Sequence, residues 1–150
     1  MRRVVVTLIS TLVLLIAIST FSNPPGSKAQ DQGRRCGLQT LKGNYGNIFN
    51  GTIVPPAGSP FPFSGVGVVT FDGNGNVTAT EQASSNGFPL QITFDGTYVV
   101  NADCTGTITA IFNPGNFEGH ISIVIVGNGN EAFGVATDLG SVVTNTLKRQ

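Results

Sequence analysis

From Asn44 onward, apolar and β-branched residues alternate with polar ones in short runs, and turn-forming residues separate the runs. That is the period-2 signature of half-buried strands. The pattern predicts eight of them: Asn44–Val54, Ser64–Phe71, Val77–Ser84, Pro89–Val100, Thr105–Phe112, His120–Val126, Glu131–Thr137 and Ser141–Leu147. No segment beyond the N-terminal region carries a 3.6-residue apolar period, and Gln39–Lys42 reads as a short helical or irregular lead-in.

Most of the links are tight. Asp72-Gly-Asn-Gly-Asn76, Ser85-Asn-Gly87, Asn101-Ala-Asp103 and Gly127-Asn-Gly-Asn130 offer the left-handed backbone that hairpin turns need. Two links are longer, Pro55–Phe63 and Asn113–Gly119. Short links pair sequence neighbours, so the strands run up and down. Open edges invite aggregation, and closure removes them. The expected fold is therefore all-β, an antiparallel up-and-down barrel of about eight strands, with a two-sheet β-sandwich as the alternative.

The N-terminal residues follow a different pattern. Arg2 and Arg3 precede an uncharged run from Val4 to Phe21, and Ser27-Lys28-Ala29 ends in small residues spaced for a cleavage site. This order predicts a secretory signal peptide over residues 1–29, leaving one β-barrel domain over 30–150 in a secreted, extracellular or periplasmic protein. The rival is a retained membrane anchor. Five Ser or Thr in the run and a Pro-Pro-Gly break after it favour cleavage, after which no membrane span remains.

Charge narrows the partners. Between Gly43 and Leu147 there are seven acids and no Lys or Arg. Such a surface cannot neutralise phosphates, so neither nucleic acid nor an acidic membrane is an expected partner. Cys36 and Cys104 are the two cysteines, and an even pair in an exported chain predicts one disulfide. Neither a CxxC nor clustered His points to a metal or redox pair, and no cofactor is implied.

Candidate chemistry is sparse. The Asp72–Asn76 loop resembles the first half of a calcium loop, but Val77 and Ala83 stand where an EF-hand needs Gly and a bidentate Glu. Turn formation accounts for it. The sole histidine, His120, has Glu118 and Glu131 as its nearest acids in sequence. If Asn128-Gly129 forms the turn, Val126 faces Glu131 and Ser122 faces Val135. His120 and Glu131 then lie at opposite ends of a hairpin, about 20 Å apart, and His120 reads as a solvated strand-end residue. No Gly-x-Ser-x-Gly elbow occurs.

Glu81 stands out because strand alternation puts it on one face with Val77, Ala79 and Ala83. If that face is the interior, the carboxyl needs a partner or becomes neutral, and Gly65 and Gly67 leave room beside it. Tyr45, Phe71, Phe94, Tyr98, Phe112 and Phe133 are read as core. Phe61 and Phe63, between prolines, are read as a loop that packs over a barrel end, as a lid, or as a partner surface. The candidate ligand-binding residues are Glu81, Tyr45, Tyr98, Phe61 and Phe63; no catalytic or metal residue is assigned.

Three strings, Leu41-Lys-Gly-Asn-Tyr-Gly46, Val69-Thr-Phe-Asp-Gly-Asn-Gly-Asn76 and Gly96-Thr-Tyr-Val-Val-Asn-Ala-Asp-Cys-Thr-Gly-Thr107, resemble a group of small secreted bacterial proteins. The resemblance implies an exported barrel of the broad calycin or allene-oxide-cyclase-like kind and brings no activity with it. Gly43-x-Tyr45 is also similar to the Gly-x-Trp start of lipocalins, with Tyr in place of Trp. A bacterial source would leave the sequons at Asn50 and Asn76 silent.

The expected function is a non-catalytic exported barrel that binds a small apolar ligand or serves as an extracellular surface-interaction module. The alternatives are a cyclase- or isomerase-like enzyme using Glu81 and a structural extracellular-matrix protein. Interior volume and polarity discriminate among them.

Overall fold

The computed structural model describes residues 35–150. The expected signal segment, residues 1–29, lies outside the described residues. The chain forms a closed antiparallel barrel in sequence order: β1 (Gly43–Ile53), β2 (Phe61–Phe71), β3 (Asn76–Ser85), β4 (Phe88–Val100), β5 (Thr105–Asn113), β6 (Phe117–Val126), β7 (Glu131–Ala136) and β8 (Ser141–Arg149). Closure is made by β1. One edge pairs with β2 from Gly43↔Phe71 to Ile53↔Phe61, and the other pairs with β8 from Tyr45↔Arg149 to Ile53↔Ser141. No edge is left over, so the sandwich alternative does not apply.

The turns use the residues that permit left-handed backbone. Asn86, Asn116 and Asn128 have φ of 52°, 50° and 61°, and Cys104, at the end of the β4–β5 turn, has 68°. The β6–β7 hairpin has the expected register, with Val126↔Glu131 and Ser122↔Val135. Glu131 accordingly lies far from His120 and pairs with Lys148 at 3.6 Å.

Two strand starts differ from the sequence reading by more than one residue. Phe61 and Phe63 belong to β2 rather than to a loop, and Phe117 and Glu118 open β6. In the first case Pro62 obscured the strand. Proline lacks an N–H, but the first turn of a strand tolerates it; its carbonyl accepts from the Asn86 N–H, and Phe61 and Phe63 alternate inward around it. Phe133 also departs from the core assignment. Ala132 takes the inward position on β7, leaving Phe133 47% exposed on the outer wall.

One end of the barrel is sealed. A short 3-10 helix, Leu38–Leu41, lies across it, and Leu41 is fully buried. Below it, Phe71 meets Tyr45 and Tyr98 edge-on, with ring centroids 5.4 and 4.9 Å apart. The Tyr98 hydroxyl donates to the Leu38 carbonyl at 2.9 Å and the Tyr45 hydroxyl to the Gly129 carbonyl, so both polar tips are satisfied. Arg149 covers the Tyr45 ring at 5.0 Å and donates to the Thr40, Lys42 and Gly129 carbonyls. The Cys36–Cys104 disulfide fastens the segment before the helix to the β4–β5 turn. No helix among the described residues is long and apolar enough to cross a membrane. The disulfide and that finding are compatible with an oxidising or extracellular compartment.

Candidate ligand cavity

The opposite half of the barrel encloses a cavity of about 480 Å³. Six phenylalanines line it: Phe49, Phe61, Phe63, Phe94, Phe112 and Phe117. Phe49 and Phe63 pack at 5.2 Å, and Phe112 lies parallel to Phe117 at the same separation. Aliphatic side chains including Ile92, Ile108 and Val143 complete the wall. Among the described residues no lysine or arginine lines it.

Within this apolar space sit two buried polar side chains, Asn47 and Glu81, 7% and 4% exposed. They come from strands that do not pair with each other. Both face Gly67 of the intervening β2, in the register Asn47↔Gly67↔Glu81. Gly67 has no side chain to hold them apart; a Cβ there would lie 2.6 Å from Glu81 Cγ. The Asn47 amide therefore reaches across and donates from Nδ2 to Glu81 Oε1 at 2.7 Å. Its own Oδ1 is buried without a hydrogen-bond partner among the described residues.

Burial pushes the Glu81 carboxyl above the ordinary glutamate range, and the Asn47 hydrogen bond, which favours the charged form, offsets part of that. No cation among the described residues is bonded to it. Asn47 and Glu81 thus present two acceptor atoms and a carboxyl able to hold or release a proton, in a space otherwise fit for hydrocarbon.

At the mouth, His120 Nδ1 lies 2.8 Å from Asp138 Oδ1, the His120 backbone N–H donates to Asp138 Oδ2 at 2.6 Å, and Nε2 is 3.4 Å from Glu118. The hydrogen bond to Asp138 raises the imidazole pKa, although the ring is largely in solvent. His120 is solvent-exposed as expected, but it lies inside β6 rather than at a strand end, and besides Glu118 it has a carboxylate partner in Asp138 of the β7–β8 turn. Strand spacing gives no access to such a turn-borne contact.

Of the sequence-derived candidates, the structure gathers Glu81, Phe61 and Phe63 around one cavity. Tyr45 and Tyr98 are elsewhere, in the sealed end, with their hydroxyls bonded to backbone carbonyls. Asn47 went unrecognised from sequence, although period 2 from Tyr45 and Phe49 puts it on the inner face of β1. Among the described residues no group of three or more His, Cys, Asp or Glu is arranged to hold a metal. In the Asp72 loop the carboxylate accepts from the Asn74 and Asn76 backbone N–H groups and the Asn76 amide, so it stabilises its own turn.

Fold and site together define the chain as a closed eight-stranded up-and-down β-barrel with one disulfide and a one-ended cavity. No protein-family model matches the chain, and no curated protein matches it. Among solved structures it is similar to a redesigned β-barrel, at 18% identity and a TM-score of 0.48, over 75% of this chain and 94% of that one.

Proposed function

We propose that the protein is an exported barrel that binds a small apolar molecule in the half of its interior facing away from the sealing helix. The observation that carries this reading is the cavity of about 480 Å³ walled by six phenylalanines. A barrel serving only as structure has no use for such a space, since unfilled core volume destabilises. The resemblance of the Leu41–Gly46 and Gly96–Thr107 strings to secreted calycin-like barrels supports export. The cyclase or isomerase alternative draws on one feature, the buried Glu81 carboxyl, which is suited to hold a proton beside a bound substrate.

Titration with Nile red, an uncharged apolar fluorophore, tests the reading. A saturable blue-shifted emission is expected, and Ala136→Phe, which adds a ring to the cavity wall, should abolish it while leaving the circular dichroism unchanged. An unsaturable signal, or one insensitive to that substitution, contradicts cavity binding.

A further inference from the structure

We infer that the cavity selects an apolar molecule carrying a cationic amine, with the ammonium group seated between Glu81 and Asn47; this rests on the binding function proposed above. Three features of the site lead to the head group. The first is the composition of the buried polar pair. Glu81 Oε1 is engaged by the Asn47 amide, and Asn47 Oδ1 has no donor among the described residues. An ammonium carries three N–H donors and no acceptor. It can therefore serve both the orphaned amide oxygen and the carboxylate, whereas a carboxylic acid or ketone brings another acceptor to a place already rich in them.

The second is charge. Among the described residues Glu81 is buried with no lysine or arginine lining the same space, and the other ionisable groups at the cavity are Glu118, Asp138 and His120 at the mouth. An anionic head group, such as that of a fatty acid, would meet the Glu81, Glu118 and Asp138 carboxylates, with the His120 imidazole already paired to Asp138. A cation entering past Glu118 meets the attractive sign at the mouth and again at Glu81.

The third is the wall. Six phenylalanine rings offer π-faces that favour a cation during passage and hydrocarbon at rest. On binding, the ammonium becomes the counter-charge of the Glu81 carboxylate, and any proton that Glu81 held passes to solvent. No covalent bond changes.

Calorimetric titration with octylamine, 1-octanol and octanoate at neutral pH tests the head group with the tail held constant. Octylamine should bind about tenfold or more tightly than octanol, as expected for charge-assisted hydrogen bonds out of water, and octanoate should be weakest. Glu81→Gln keeps the side-chain shape and should reduce the amine to the affinity of the alcohol. The octanol arm on the same variant shows that the cavity persists. A Glu131→Gln control, at a carboxylate outside the cavity lining, should leave the order unchanged. Octanoate binding as tightly as octylamine, or an amine preference that survives Glu81→Gln, overturns the inference. If octanol binds without an amine preference, the inference fails and the binding function stands; if none of the three binds, both fail.

Discussion

The Asn47–Glu81 pair concentrates the residue-level physics of this protein. A carboxyl whose folded pKa is raised leaves the native state binding more protons than the unfolded chain. The Glu81 contribution is therefore fully present below the unfolded pKa of about 4.3 and falls as pH climbs toward the folded value. Glu81→Gln should flatten that part of the profile and stabilise the protein at neutral pH relative to the parent; urea unfolding between pH 4 and 8 measures both, and an unchanged profile contradicts the account. Asn47→Ala removes the donor to a buried carboxyl and should destabilise by about 1–3 kcal/mol. At the mouth the direction is the same for a different reason: the His120–Asp138 bond stabilises the protonated imidazole, a contribution lost as pH rises through the raised pKa. Asp138→Asn should lower the His120 pKa toward 6.5, read from imidazole proton shifts. Glu81 was legible from alternation alone, and Asn47 was equally available from the same rule. Asp138 was not, because its position depends on a turn conformation that spacing does not encode.

At the scale of elements, the alternation fixes which residues face inward, and the Asn-Gly turns fix which strands meet. This is why strand number, order and the β6–β7 register were legible. The start of β2 was not, because a Pro-flanked Phe reads as loop until its partners on β1 and β3 are known. Gly67 shows the reverse case, where a residue without a side chain determines a site. Gly67→Ala would drive a methyl against Glu81 and should cost about 1–3 kcal/mol through overpacking. Gly46→Ala on the outer face of β1, where the nearest atom to an added Cβ is 3.7 Å away, should be close to neutral. Equal effects of the two substitutions in thermal unfolding would contradict the packing described. Reduction of Cys36–Cys104 should destabilise by about 2–4 kcal/mol without loss of strand signal, because the barrel ladder closes independently of the bridge.

For the whole molecule, the two ends have different roles. The helix-capped end packs Leu41, Tyr45, Phe71 and Tyr98 with every hydroxyl bonded, while the other end leaves ligand-sized volume behind a phenylalanine-lined mouth. The eight-strand count was readable from the pattern. The division between a filled half and a hollow half was not, because it depends on how side chains of known orientation share a curved interior. That division is the central claim, and methyl NMR during titration with 1-octanol tests it most directly. Saturable shifts are expected at Ile92, Ile108, Ile121 and Val143 along the cavity, with Val77 and Ile125 in the sealed half and Val66 on the outer wall unmoved. Shifts spread over the outer wall, or strongest at Val77 and Ile125, would contradict a one-ended binding cavity.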